Sequence, residues 1–181
     1  MPHARRIPDP GFAGDDGADD PALRAALTAY AADATRGVEV LFALQNARVL
    51  VPVVAVRGEV EVDAAGPAPD KTSEMAVSSG VEMGTALLTG RDGRQALLAF
   101  TGLETLAAWR PDARPVPVPA AVAARAALQE GAAALVVDVA GPTTYAVEGA
   151  VLERLARGWR LARSDNGLAW VEPVAEGPAA E

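Results

Sequence analysis

Leu23, Leu27 and Tyr30 recur at the spacing of one helical face and mark the first regular element of the chain. Asp20 stands ahead of them as an acceptor for the first free amides. Pro21 fits the first helical position because it has no N–H to lose there. The pattern predicts a helix from Pro21 to about Ala34, stopped near Gly37. Val38–Asn46 carries two patterns at once. Val40, Leu41 and Leu44 suit a helical face, whereas Val38, Val40 and Phe42 alternate as a strand does; the polar exit from Gln45 to Arg48 favours a second short helix. Arg48–Val56 is β-branched and almost wholly apolar, so it reads as a buried strand. Pro52 cannot donate to a ladder, which moves that strand towards an edge or a bulge.

Charge, Gly66, Pro67 and Pro69 make residues 57–70 a loop. Thr85–Gly90 and Gln95–Phe100 flank Arg91-Asp92-Gly93-Arg94, and Asp-Gly between two apolar runs signals a hairpin. Thr101-Gly-Leu-Glu104 has the form of a capping box that starts a helix through Trp109. Four prolines keep Pro111–Pro119 extended, as an edge strand. Pro119 then opens a helix over Ala120–Glu130, which Gly131 closes. Ala134–Val139 is a second apolar strand, Gly141-Pro142 turns the chain, and Thr144–Glu148 returns. A helix over Ala150–Arg157 ends at Gly158, and the stretch through Trp159 and Trp170 adds a strand.

The sum is a mixed sheet of five or six strands that includes a hairpin, flanked by four or five helices. That is the α+β class, with residues 19–172 as one domain. Residues 1–18, rich in Pro, Gly and Asp, read as a disordered or extended leader, and 173–181 as a disordered tail.

Composition narrows the chemistry. Half of the residues are apolar and only 4% aromatic, so a core must be built from Ala, Val and Leu. The formal charge of −8 argues against a nucleic-acid partner and against docking on an anionic membrane, since both depend on clustered Lys and Arg. No cysteine is present, which removes disulfides, thiolate metal sites and Cys nucleophiles. Arg5 and Arg6 are followed by no apolar stretch, and the apolar run at Val49–Val56 falls far short of the roughly 20 residues of a membrane span. A cytoplasmic location is expected.

Catalytic motifs fail one by one. His3 is the sole histidine and sits in the leader, so the fold itself can build no His triad or His metal cluster. The acidic run Asp15–Asp20 lacks the EF-hand spacing, because the twelfth position counted from Asp15 is Ala26 rather than glutamate; it reads as a solvated linker ending in an N-cap. Gly66–Thr72 mimics a phosphate loop, but Asp70 stands where glycine must precede the lysine, and Pro67 and Pro69 remove amides the cradle needs. No Gly-x-Gly-x-x-Gly follows a strand and no Gly-x-Ser-x-Gly occurs. No cofactor is implied. Trp109, Trp159 and Trp170 read as core or edge packing, and Arg157, Arg160 and Arg163 as a solvated face.

What remains is Lys71, Thr72, Ser73, Glu74 and Met75. The only lysine stands there beside two hydroxyls, a carboxylate and a thioether, in a loop between the main strand and the hairpin. One reading is an ordinary polar connection. The other is a recognition loop in which Lys71 meets an anion or a partner carboxylate and Met75 packs adaptably.

Several strings then assemble in order: Ile7–Gly17, Val49–Val56, Asp70–Met75, Thr89–Arg94, Leu97–Gly102 and Arg114–Pro119. Together they resemble the SseB family, named for enhanced serine sensitivity, in its actinobacterial single-domain form. The resemblance runs from Ile7 to about Gly149. It implies an α+β module with no established enzymatic activity or cofactor, and hence no catalytic residues to carry over. One departure is the extra stretch around Ser78–Gly84, where Glu82-Met83-Gly84 echoes Glu74-Met75-Ala76 as a local duplication would.

The leading expectation is a non-catalytic, cytoplasmic protein-interaction or regulatory module, with another protein as partner. The alternative is a domain that binds a small molecule, an amino acid or an anion near Lys71. A hydrolase is the remote third reading, since no specific carboxylate pair supports it.

Overall fold

The longest strand, β1 (Arg48–Val56), organises the molecule, which the computed structural model describes over residues 12, 14–56, 82–165 and 167–173. It lies between β2 (Glu82–Thr85) and β5 (Arg114–Pro119), antiparallel to both. Pro52 therefore sits in a middle strand, not at the expected edge. Leu50 exchanges both backbone bonds with Phe100, at 2.8 and 2.9 Å, on the side away from β5. Backbone groups alternate along an antiparallel strand, so Pro52 faces the same way. There its carbonyl accepts from the Ala86 amide at 3.3 Å, in the bend between β2 and β3 (Leu87–Thr89), and the β5 ladder loses no donor. The same alternation explains β5. Pro115, Pro117 and Pro119 oppose Pro52, Leu50 and Arg48, so their nitrogens face the open edge.

β3 forms the expected hairpin with β4 (Gln95–Ala99). β4 runs parallel to β6 (Ala134–Val137), which pairs antiparallel with β7 (Tyr145–Glu148). β8 (Arg160–Ser164) and β9 (Gly167–Val171) make a separate antiparallel pair. The α+β class holds, but the single sheet expected is divided into three: β2-β1-β5, β3-β4-β6-β7 and β8-β9. The break at Ala86 and the bridge from Leu50 to Phe100 mark where the first two meet.

Among the described residues, five α-helices cover these sheets: α1 (Pro21–Ala32), α2 (Gly37–Leu44), α3 (Leu103–Trp109), α4 (Ala120–Gln129) and α5 (Gly149–Ala156). Asp20 caps α1 as expected, its Oδ1 accepting from the amides of Ala22 and Leu23 at 2.9 Å each. α2 takes the helical reading of Val38–Asn46, and Gly131 and Gly158 follow the ends of α4 and α5. The capping box does not form. Gly102 occupies the N-cap of α3 without a side-chain bond, and Thr101 is engaged elsewhere.

Ala120, Ala123, Ala124 and Ala127 line the buried face of α4, each at most 1% exposed. Their small side chains bring that helix close to the strands, in one cluster with Leu97, Leu135, Leu152 and Leu155. A second cluster gathers Leu50, Leu98, Phe100 and Leu106, with Trp109 tilted against Phe100 at 5.5 Å between ring centres. All three tryptophans are half-buried, at edges of the packing.

Candidate functional site

The Lys71–Met75 loop lies outside the described residues, so the structure neither brings those five side chains together nor separates them. The described residues that flank the wider segment 57–81, Val56 and Glu82, pair with each other where β1 meets β2. Glu82-Met83-Gly84, read from sequence as part of an insertion, forms most of β2.

A built polar site stands elsewhere, at the carboxyl ends of the parallel strands β4 and β6. The Asp138 amide donates to Ala99 at 2.9 Å and extends that ladder by one step. The backbone then turns sharply, with Asp138 in the left-handed region at φ 54°, which aspartate tolerates better than most residues. This turn points its carboxylate back at Thr101. Oδ1 accepts from the Thr101 amide at 2.9 Å and Oδ2 from the Thr101 hydroxyl at 2.7 Å. Both residues are only 3% exposed. The loop beyond is held by the Gly141 amide and the Thr144 hydroxyl, which both donate to the Asp138 carbonyl, at 2.9 and 3.1 Å. Gly141 allows the close approach. A Cβ there would stand 3.0 Å from Asp138 Cβ and 3.3 Å from Thr105 Cγ2.

A second clamp fastens the segment before α1. Arg48 donates from Nε to Asp15 Oδ2 at 2.5 Å and from Nη2 to Asp15 Oδ1 at 2.6 Å. The same guanidinium reaches the carbonyls of Ala18 at 2.9 Å and Thr101 at 2.8 Å. Only 12% of the Arg48 side chain and 14% of the Asp15 side chain are exposed. The Arg48 bonds hold the Asp15 carboxyl below its ordinary range, against the opposing effect of burial. Gly17, at φ 75°, accepts the Leu103 amide at 2.9 Å while the Leu103 side chain fills the space a Cβ would need. Asp15, Gly17 and Ala18 of the expected leader are thus tied to Arg48 of β1 and Leu103 of α3, and Asp19 pairs with Arg24.

Beside the Thr101–Asp138 clamp opens a cleft of about 250 Å³. Arg24 and Thr28 of α1, Glu104 of α3, Thr101, Asp138 and Thr143 line it, with Leu27 and Pro142 as apolar wall. Such a cleft can hydrogen-bond and enclose a small group. Among the described residues no cluster of three or more metal-ligating side chains occurs, and no helix is long and apolar enough to cross a membrane.

Sequence reasoning missed this site. Thr101 was assigned to a local cap, the acidic run to a solvated linker, and Asp138 to a strand interior. The available signal was a lone carboxylate ending the apolar run Ala134–Val137.

An α+β domain whose polar cleft sits at the ends of two parallel strands is the class that fold and site define. The chain belongs to the SseB family. The family model for the SseB protein N-terminal domain matches residues 23–154, well over half of its length. No curated protein and no solved structure matches the chain. The matched span holds Arg48 and every cleft residue named above; Asp19, which also lines the cleft, Asp15, the partner of Arg48, and the β8-β9 hairpin fall outside it.

Proposed function

We propose that the chain is a non-catalytic protein-interaction or regulatory module of the cytoplasm. The observation that carries this reading is the engagement of Asp138. The most deeply buried carboxylate of the cleft takes two donors from Thr101, and the Thr101 hydroxyl, equally buried, is turned to that carboxylate rather than to a substrate. In this reading the pair, with both residues 3% exposed, serves as a structural clamp. The charge of −8 disfavours nucleic acid and anionic membranes.

Affinity capture from native lysate tests the reading, comparing wild type with a Lys71→Ala, Glu74→Ala variant. A stoichiometric protein lost in the variant, with the melting temperature nearly unchanged, supports it and places the face. An empty capture with both forms folded removes it.

A second reading, a small-molecule-binding domain, is favoured by where the cleft lies. Open sheets with parallel strands take ligands in the crevice beyond the strands' carboxyl ends, and the cleft occupies that position on β4 and β6. A ligand at 100 times its dissociation constant raises stability by about 2.7 kcal/mol, so a thermal-shift screen over a broad metabolite set would reveal it.

A further inference from the structure

Three carboxyl groups, Asp19, Glu104 and Asp138, line the cleft against one guanidinium, that of Arg24. Arg24 is turned to Asp19, to which both Nε and Nη2 donate, with Nε at 2.8 Å. Glu104 makes no ion pair among the described residues and stands exposed at the rim. Asp138 forms part of the floor. Its two neutral donors from Thr101 leave lone pairs unused, because an ionised carboxylate offers about four acceptor positions. Thr28 and Thr105 direct their hydroxyl hydrogens to the backbone carbonyls of Arg24 and Gly102, so towards the cleft they too offer acceptor oxygens. The lining thus offers several acceptor oxygens, within a chain of net charge −8. An anion would meet two carboxylates, Glu104 and Asp138, that make no ion pair among the described residues, and the repulsion costs more as water is excluded.

We propose that this cleft binds a small molecule through a primary ammonium group. The inference rests on the second reading above and names its ligand class. A primary ammonium carries three N–H donors on one nitrogen, which suits a lining that offers Glu104, Asp138 and threonine oxygens as acceptors, and charge-assisted bonds of this kind are roughly twice as strong as neutral ones. The volume of about 250 Å³ gives room for a short aliphatic amine. Leu27, Pro142 and the threonine methyl groups supply wall for its carbons. The site is formed in advance. The left-handed turn at Asp138, the tight packing of Gly141 and the Arg48 clamp on Thr101 fix the floor without the ligand.

The test is calorimetric titration of the full chain, at constant ionic strength, with ethylammonium, ethanolamine and 1,4-diaminobutane. Tetramethylammonium, acetate and glycerol serve as charge-only, anionic and neutral probes. The expected result is saturable one-site binding of the primary amines and binding of tetramethylammonium weaker by about tenfold or more. Glu104→Gln should weaken the amines about fivefold or more at an unchanged melting temperature. Asp138→Asn should weaken them further, and Glu104→Gln keeps the test open if that variant does not fold. Amine affinity indifferent to Glu104→Gln overturns the proposal. So does a metabolite screen in which only anions or neutral compounds stabilise the chain, and this outcome leaves the small-molecule reading standing. A screen in which no compound stabilises the chain removes both.

Discussion

Thr101 gives both its amide and its hydroxyl to the carboxylate of Asp138, across 37 residues of sequence and between the ends of two parallel strands. Both partners are buried, so deleting one leaves the other unsatisfied, and the loss exceeds that of a surface hydrogen bond. Thr101→Val, which keeps the shape and removes the hydroxyl, should lower the unfolding free energy by about 1–3 kcal/mol in urea denaturation. Thr101→Ser should recover most of that. Equal stability of the Val variant and wild type would show that the bond contributes nothing net.

The Asp15–Arg48 clamp carries a pH signature. Its bonds from Arg48 lower the Asp15 carboxyl from an ordinary value of 3.8, so the unfolded chain takes up the proton before the native chain does. The stabilisation is therefore complete well above 3.8 and is lost as the pH falls through the lowered native value. The difference in unfolding free energy between wild type and Asp15→Asn should shrink between neutral pH and about pH 2.5. A constant difference over that range would mean that Asp15 does not titrate against Arg48. Arg48→Ala should cost about 2 kcal/mol at neutral pH, since it also strips the Thr101 carbonyl of a charged donor.

Close approach of α4 to the strands depends on side chains no larger than alanine. Ala124→Leu adds volume where the exposed surface is 0% and should destabilise by about 1–3 kcal/mol, read as an earlier denaturation midpoint. Ala121→Leu, at a half-buried position of the same helix, should cost less. An equal loss at both positions would argue against the tight seam.

Tyr145 meets Tyr30 edge-on at 5.3 Å between ring centres and donates its hydroxyl to the Gly37 carbonyl at 2.9 Å. Burial raises its phenol above 10.0, with Tyr30 adding to the effect, so the folded chain favours the neutral form. Its stabilisation is present below 10.0 and lost as the pH rises through the elevated native value. Tyr145→Phe should cost about 1 kcal/mol at neutral pH and flatten the alkaline limb of the stability curve. A variant whose alkaline unfolding follows that of wild type would contradict this.

Elements whose signal is local were legible in the sequence. Arg48–Val56 was bounded correctly because a β-branched run ends in charge on both sides, and α1 because Asp20 and Pro21 form a start signal. The capping box failed because Thr101 finds a charged acceptor in Asp138, which no local pattern contains. Pro52 was misplaced because its effect depends on which neighbour it faces, a property of register rather than of residue type. Asp15 looked solvated because its partner lies 33 positions on. The final hairpin carried a usable sign, Asn166-Gly167 ahead of the apolar run Leu168–Val171, but was read as one strand. The cleft was illegible for the same reason as Thr101–Asp138: its walls come from α1, α3 and the loop after β6, far apart in sequence.

The central claim, that this chain acts by binding a protein partner through the Lys71–Met75 loop, is tested most directly by calorimetric titration of the purified chain with the purified captured protein. The account predicts saturable one-site binding, weakened about tenfold or more by Lys71→Ala with Glu74→Ala at an unchanged melting temperature. Equal affinity of variant and wild type, or a variant that loses its fold, would contradict it.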